Sequence, residues 1–441
     1  MTGTERPDGP PADGLGGWDE ALADRDPEIP RLLDVLAPSR AMACLHDRFP
    51  TDAIIPADPR VVYLRYKPGV SLTACLAVSG PEPLVMLQAV AATHRAKVEK
   101  LLTKRHCGPA GWGAVSDEER QLVVVAPGSD RLLPGLARHT SKTRSVDSSR
   151  LGDLDPIRYK PHRRWLGVGN IDGRRSVARV VPPGFARTRA PTYAHLRQFG
   201  VLAPFSQDLK RGVTVHDWID GEPLTGRTAR PTILREVGRS IARLHLLAPG
   251  PLSHAPDHRA LLLEAADAIG VLCPEQHDAT RLLAARVYDL LPVGGPRVAS
   301  HGDFSDDQVI IDPQGSAQLI DLDRACLDHA AFDLGSYLAQ QLLDNLDDGD
   351  MPRSHGIGLQ PLLDGYQSLH RPPDDRDILA CTLAALLRRA VEPFRQHHPE
   401  WPSRIARRID LVEYLLGGAF NQQGQPSDPS TNRTPRHARL Q

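Results

Sequence analysis

Two stretches of the chain repeat the same order of apolar runs and turns. Residues 63–90 and residues 157–183 each contain Arg-Tyr-Lys-Pro, then a β-type run, a turn and a second β-type run. The turns read SGPEP and NIDG, which are rich in the residues that favour reversals of the chain. The distance from the Arg to the middle of the last strand is nearly equal in the two stretches. The pattern predicts two related β-hairpin units.

The rest of the chain is dominated by helical periodicity. Residues 233–247 read ILREVGRSIARLHLL, with apolar positions three and four apart, which predicts an amphipathic helix. Residues 212–224 read as a strand, and residues 309–323 as a hairpin with a Gly turn. Helices are also predicted at 91–102, 192–199, 259–272, 278–291, 332–346, 358–369 and 378–396. A β-rich lobe, a linker strand and a helical lobe that holds one polar hairpin follow from this order.

Composition limits the classes of protein. A chain of 441 residues with 41% hydrophobic and 24% charged residues suits two or three packed domains. The net charge of −1 gives no reason to expect nucleic acid or an anionic membrane as a partner. Six scattered Cys without C-x-x-C argue against a zinc framework, and no apolar run approaches the ~18 residues of a membrane span. With no apolar segment typical of a secretory signal at the N-terminus, a cytoplasmic protein is expected.

The stretch HGDFSDDQ at residues 301–308 carries the candidate chemistry. Phosphoryl transfer to a hydroxyl needs a carboxylate near the nucleophile and oxygen ligands for Mg²⁺. Asp303 lies in the predicted turn, Gln308 enters the following strand, and Asp321 leaves the second strand. A hairpin of this length brings Gln308 and Asp321 near each other across the ladder. The alternative is a polar turn in which Asp side chains cap backbone N–H groups.

Four segments resemble the aminoglycoside phosphotransferase and choline kinase superfamily. They are VASHGDFSDDQVIIDPQGSAQLIDLDRA (298–325), DHAAFDLGSYLA (328–339), GRSIARLH (238–245) and HDWIDGEPL (216–224), and the resemblance covers roughly residues 155–400. It implies Asp303 as the catalytic Asp, Gln308 in place of the usual Asn and Asp321 as metal ligands, and His301 as a residue that orients the catalytic loop. Asp333 would be a structural acceptor that braces this loop.

The small lobe departs from that superfamily. Its members usually place a Lys on the third strand, paired with nucleotide phosphates and with a helix Glu, whereas this chain has Arg179. The helix TYAHLRQF offers no acid, so the Lys–Glu pair is expected to be absent. Lys160, Arg163 and Arg164 in the turn KPHRRW would supplement the grip on the nucleotide, unless they are ordinary exposed turn cations. In the first hairpin unit the matching position is Gln88, so that unit is not expected to bind nucleotide.

These observations and the resemblance together predict an α+β, protein-kinase-like two-lobed phosphotransferase with an additional small-lobe-like domain at its N-terminus. The predicted divisions are a disordered tail at 1–25, an accessory domain at 26–150, a kinase small lobe at 151–215, a helical large lobe at 216–420 and a disordered tail at 421–441. The predicted function is transfer of the γ-phosphate of ATP, with Mg²⁺, to a hydroxyl of an aminoglycoside-like, amino-alcohol or sugar-like molecule. The acidic stretch DNLDDGD (344–350) is a candidate for binding a cationic acceptor, although a solvated loop is the alternative.

Two other functions stay open. A Ser/Thr kinase of a biosynthetic pathway would phosphorylate a peptide, and the N-terminal domain would then dock a leader or partner protein. A non-catalytic scaffold would bind nucleotide without transferring phosphate, as the missing Lys–Glu pair suggests.

Overall fold

The first half of the chain folds into two antiparallel sheets with the same strand order. In this computed structural model, which describes residues 15–103, 107–137, 154–201, 203–224, 230–347 and 359–420, the first sheet has the order β1-β2-β3-β5-β4. Its strands are β1 (Ala57–Lys67), β2 (Ser71–Ser79), β3 (Leu84–Val90), β4 (Ala114–Ser116) and β5 (Leu122–Val125). The second sheet has the order β6-β7-β8-β10-β9. Its strands are β6 (Asp155–Lys160), β7 (Arg164–Ile171), β8 (Arg174–Val180), β9 (Ser206–Asp208) and β10 (Val213–Asp217).

The two sheets also agree in register and in the helix that follows the third strand. Gln88 lies opposite Thr73, and Arg179 lies opposite Leu166, each on the strand next to it. Helix α4 (Arg95–Thr103) follows the third strand of the first sheet, and α5 (Pro183–Gln198) follows that of the second. The repeated apolar pattern of the sequence therefore corresponds to a repeated structural unit.

The turn after the first strand is anchored in the same way in both sheets. In the first sheet, the Tyr66 hydroxyl and the Gly69 N–H both donate to the Asp26 carboxylate, at 2.7 and 2.9 Å. In the second, the Tyr159 hydroxyl and the His162 N–H both donate to Asp130, at 3.0 and 2.7 Å. Gly69 and His162 share a positive φ of 65° and 64°. The turn geometry is thus conserved between the units although the residue that adopts it differs.

Apolar side chains join the two sheets face to face. Met86 and Val123 of the first sheet belong to one buried cluster with Trp165, Val180 and Val215 of the second. The alternation of apolar residues along each strand gives the first sheet a second apolar face, which packs against helices at the N-terminus. The first sheet is therefore buried on both sides.

Helices α1 (Gly17–Arg25), α2 (Leu32–Leu36) and α3 (Pro38–Leu45) cover that second face. The predicted disorder over residues 1–25 is wrong for the part that forms α1, while residues 1–14 and the predicted tail at 421–441 lie outside the described residues. Leu22 is buried in the core, and the Asp19 carboxylate accepts a hydrogen bond from the Trp401 indole at 3.1 Å. Tertiary contacts thus order a segment whose polar composition suggested a tail.

The second half forms a helical lobe around two small sheets. Its helices are α6 (Pro231–His245), α7 (His258–Leu272), α8 (His277–Leu290), α9 (Ala331–Asp347), α10 (Gln360–Gln367), α11 (Asp375–Arg389), α12 (Glu392–Arg395) and α13 (Trp401–Phe420). One small sheet consists of β11 (Glu222–Pro223), β14 (Val309–Ile311) and β15 (Ala317–Leu319), and the other of β12 (Ser253–His254), β13 (Arg297–Ser300) and β16 (Cys326–His329). Within the described ranges, no helix has both the length and the apolar character needed to span a bilayer. The boundary predicted at residue 150 lies outside the described residues, and the domain limits stay predictions.

Candidate active site

The loop that follows β13 is fixed by one buried carboxylate. Asp333, at the start of α9, accepts hydrogen bonds from the backbone N–H of His301 at 2.7 Å and of Gly302 at 2.9 Å. It also contacts His245 Nε2 at 2.9 Å. Burial alone would raise the pKa of Asp333, but the hydrogen bond to His245 and the nearby imidazoles hold that pKa below its usual value. The carboxylate predicted to brace this loop therefore touches it directly.

His301 ties the loop to the neighbouring hairpin. Its Nε2–H donates to the Ile320 carbonyl at 2.9 Å, and its side chain is fully buried. Gly302 follows with φ +77°, a conformation that residues other than Gly rarely adopt. A Cβ at Gly302 would lie 2.3 Å from the Arg324 carbonyl oxygen. The loop is consequently held from both ends, and it directs Asp303 toward solvent, with its side chain 40% exposed.

The predicted hairpin forms and brings its two candidate metal ligands to the same end. β14 and β15 pair antiparallel, and the Gln308 carbonyl accepts a hydrogen bond from the Ile320 N–H at 2.9 Å. Gln308 thus lies across the ladder from the residue that precedes Asp321. Asp321 itself has φ +58°, so the chain turns sharply as it leaves the second strand.

Two arginines of the second sheet reach Asp321. Arg164 Nη1 lies 2.6 Å from Asp321 Oδ2, and Arg179 Nη1 lies 2.9 Å from Asp321 Oδ1. Burial opposes the charged form, but these guanidinium groups hold the pKa of Asp321 well below its usual range. Arg164 and Arg179 therefore connect the second sheet to the β14–β15 hairpin through one carboxylate.

A second carboxylate, Asp323, completes this network. Its two oxygens contact Arg179 Nη2 and the Tyr193 hydroxyl. The expectation that Arg179 lacks an acidic partner is wrong, because the acids come from the hairpin and not from the helix after β8. That helix, α5, supplies the Tyr193 hydroxyl. Sequence reasoning missed both Asp323 and Tyr193, although the second Asp of LIDLD was a visible signal for the former.

The other two predicted nucleotide-binding residues lie over a different part of the site. Lys160 and Arg163 line a cleft of about 760 Å³ together with Asp303. Lys160 Nζ stands 5.3 Å from the centre of the Tyr63 ring, which comes from β1 of the first sheet. Burial, followed by the charge of Arg158, lowers the pKa of Lys160 to about 8. The first sheet thus contributes a wall to the cleft, a role that the sequence did not indicate.

Arginines also surround Asp303. Arg324 Nη1 lies 3.4 Å and Arg389 Nη2 3.9 Å from Asp303 Oδ1. Arg388 is next to Arg389 on α11 and lines the same cleft. The candidate catalytic carboxylate is therefore held among cations.

The residue types at the hairpin fit a magnesium–nucleotide complex. Mg²⁺ prefers carboxylate and amide oxygens and keeps several waters and phosphate oxygens, so two protein ligands suffice. Gln308 and Asp321 offer such a pair, and the described part of the chain contains no group of three or more His, Cys, Asp or Glu that would form an all-protein site. Because both Asp321 oxygens contact arginines, a cation at Asp321 would compete with these ion pairs.

The acidic stretch at 344–350 gives no support to a cationic acceptor site. Asp347 pairs with Arg404 at 3.1 Å and with Arg408 at 2.8 Å, both on α13. Asp344 accepts a hydrogen bond from Gln340 at 2.7 Å. Residues 348–350 lie outside the described residues. The described part of the stretch thus serves helix packing.

Comparison with known proteins gives a family match over much of the second sheet and the first part of the helical lobe. Residues 168–370 match the model of the phosphotransferase enzyme family. This match covers somewhat less than half of the chain. The match agrees with the resemblance noted in the sequence, and the strands and helices described above confirm the α+β class; the first sheet lies outside the matched residues. Enzymes of the matched family transfer phosphate groups.

Solved structures of small-molecule kinases resemble the chain at low identity. Choline kinase LicA from Streptococcus pneumoniae is 14% identical, with 59% of this chain and 93% of that chain covered and a TM-score of 0.45. An ethanolamine kinase from Plasmodium vivax is 12% identical, with 65% and 87% covered and a TM-score of 0.46. A spectinomycin phosphotransferase solved with ADP and spectinomycin is 12% identical, with 59% and 91% covered and a TM-score of 0.42. No curated protein sequence matches the chain.

Proposed function

We propose that the protein transfers the γ-phosphate of ATP to a hydroxyl group of a small molecule. The observation that carries the proposal is the position of Asp303. The loop that bears it is fixed to Asp333 by two backbone hydrogen bonds, and the residue lines the cleft of about 760 Å³. A carboxylate held in place beside a space for an acceptor is what phosphoryl transfer requires of a protein.

In the proposed reaction, Asp303 accepts the proton of the acceptor hydroxyl. The hydroxyl oxygen forms a bond to the γ-phosphorus, and the bond from that phosphorus to the β,γ-bridging oxygen breaks, so that ADP leaves with the electron pair. Gln308 and Asp321 would hold Mg²⁺, which neutralises charge on the phosphate oxygens. Arg179 would exchange a carboxylate partner for a phosphate oxygen, which its planar guanidinium group can bind in two places.

Three substitutions test these roles. Asp303→Asn is expected to abolish phosphate transfer while ATP still binds, because the amide cannot take the proton. Asp321→Ala is expected to remove the Mg²⁺-dependent part of nucleotide binding. Asp307→Asn is the matched control, since Asp307 lies in the same loop but is exposed, and among the described residues its side chain accepts a hydrogen bond only from the Ser305 hydroxyl, at 2.6 Å.

ATP binding is measured by isothermal titration calorimetry in the presence of Mg²⁺. Phosphate transfer is measured as ADP formation with a set of small-molecule and peptide acceptors. Full activity of Asp303→Asn would refute the role of Asp303. Retained ATP binding with no transfer to any small molecule or peptide would instead favour the non-catalytic scaffold. Turnover with peptides but not with small molecules would favour the peptide kinase.

A further inference from the structure

The cleft around Asp303 has an excess of positive charge. Among the described residues, seven Lys or Arg line it, against four Asp or Glu. The cations are Lys160, Arg163, Arg189, Arg324, Arg388 and the pair Arg389 and Arg395. A cationic acceptor, such as an amino sugar or a choline-like alcohol, would enter against this charge.

Most of the acidic residues of the cleft are already engaged. Glu392 pairs with Arg395 at 2.8 Å. Asp328 contacts His258 at 2.9 Å and Arg297 at 3.2 Å. Asp303 is required for the proton of the acceptor. Among the cleft-lining acids, this leaves only the exposed Glu264 to attract a cation.

Several of the cations, in contrast, have no anionic partner. Within the described residues, the side chains of Lys160, Arg163 and Arg388 make neither a hydrogen bond nor an ion pair. Arg388 is the most informative of them, because it is partly buried on α11 beside Arg389. Burial, followed by the charge of Arg324, lowers the pKa of Arg388. Cations that outnumber the carboxylates around them repel each other, and a bound anion relieves this repulsion.

We propose that the acceptor carries an anionic group, a phosphate or a carboxylate, which binds Arg388 and its neighbouring cations while its hydroxyl lies at Asp303. This inference rests on the proposed function for the hydroxyl, but the anion site is defined by the cleft alone. Guanidinium groups bind phosphate and carboxylate oxygens in pairs of hydrogen bonds, which gives direction as well as charge. Arg388 would thus position the acceptor, and Lys160 and Arg163 would contact it from the turn of the second sheet.

A set of sugars that differ in charge tests the proposal. Glucosamine, glucose, glucuronate and glucose 6-phosphate share a pyranose skeleton and carry a positive charge, no charge, a carboxylate and a phosphate. Each is offered with ATP and Mg²⁺ while ADP formation is measured. Binding of each sugar and of inorganic phosphate is measured separately by calorimetry, with a non-hydrolysable ATP analogue present to occupy the nucleotide site. Comparison of glucuronate with glucose 6-phosphate distinguishes the carboxylate from the phosphate.

The expected result is binding of at least one anionic probe and transfer to anionic sugars in preference to glucose and glucosamine. Arg388→Gln is expected to raise the KM or Kd for that probe at least tenfold, with the KM for ATP unchanged within twofold. Arg388→Lys should lose less than Arg388→Gln because it retains the charge. Arg286→Gln is the matched control, since Arg286 is exposed on α8 and is not among the residues that line the cleft.

The outcomes separate the two proposals. If glucosamine or glucose is phosphorylated as well as the anionic sugars, and Arg388→Gln has no effect, the anionic acceptor is wrong while the kinase stands. If no anionic probe binds the wild-type protein beside the ATP analogue, the anion site is also refuted. If anionic probes bind in an Arg388-dependent way but no phosphate is transferred to any acceptor, the anion site stands and the kinase function is wrong.

Discussion

Replacing Arg179 with Met tests whether its ion pairs join the second sheet to the β14–β15 hairpin. The chain contains its own control for this change, because Gln88 occupies the same position in the first sheet. The Gln88 amide donates one hydrogen bond, to the Thr73 hydroxyl at 2.7 Å. Gln88→Met therefore also replaces a long polar side chain with the apolar Met, but it removes no ion pair.

The expected cost follows from burial. The side chains of Arg179 and Asp323 are each 9% exposed, and that of Asp321 is 21% exposed. Removing one partner of a buried ion pair costs about 3–5 kcal/mol. Because Asp321 keeps Arg164 and Asp323 keeps Tyr193, we expect Arg179→Met to cost about 3 kcal/mol, the lower end of that range. Loss of the hydrogen bond from Gln88 to Thr73 should cost about 1 kcal/mol.

Urea unfolding followed by tryptophan fluorescence measures both free energies, and Trp165 in the second sheet reports on the region concerned. Arg179 lowers the pKa of Asp321 in the folded state. The stability that this shift contributes is present above the unfolded-state pKa of about 3.9 and is lost as the pH falls below it. The difference between wild type and Arg179→Met should therefore shrink below about pH 4, whereas the Gln88→Met difference should not.

Equal costs for the two variants at neutral pH would refute the argument that Arg179 bridges two parts of the protein. If Arg179→Met loses the full expected free energy of unfolding but binds ATP with unchanged affinity, the bridging role of Arg179 is supported and its proposed contact with phosphate is refuted.

Two further predictions concern the loop that carries Asp303 and the cleft. Gly302→Ala should lower kcat more than tenfold, since the added Cβ would meet the Arg324 carbonyl oxygen. Gly315 also has a positive φ, but its nearest neighbour is 4.0 Å away, so Gly315→Ala should only lower the free energy of unfolding, by about 1–2 kcal/mol. Similar kcat values for the two variants would contradict this. Because the pKa of Lys160 is lowered to about 8, the affinity for an anionic acceptor should fall as the pH rises through about 8. When KM for the acceptor is measured across this range, Lys160→Arg should retain that affinity to pH values of about 9.5. A wild-type KM that does not change with pH would contradict this prediction.

The sequence predicted the elements whose pattern is local. Periodicity and turn residues within short windows predicted three features: the repeated β-hairpin units, the amphipathic helix that corresponds to α6, and the hairpin between Gln308 and Asp321. The loop that carries Asp303 could likewise be placed on a turn next to that hairpin. These features required no knowledge of distant contacts.

Features that depend on distant contacts could not be predicted in this way. Arg179 lies 142 residues from Asp321, so a search for its acidic partner in the adjacent helix could not find the pair. The helix α1 contains little apolar surface of its own and is ordered by packing in which Trp401 takes part. The contribution of Tyr63 to the cleft needs the packing of two whole sheets.

The anchored turn of the second sheet limits how the site can open. Asp130 lies in the segment that follows the first sheet, yet its buried carboxylate holds Tyr159 and the His162 N–H at the base of the turn beneath Lys160 and Arg163. Moving that turn alone would leave the buried Asp130 carboxylate without its hydrogen-bond donors, which would cost several kcal/mol. The turn is therefore expected to stay in place over the cleft and not to move as a separate lid. Molecules should enter and leave either through a permanently open mouth or by a rigid-body rotation of both sheets against the helical lobe.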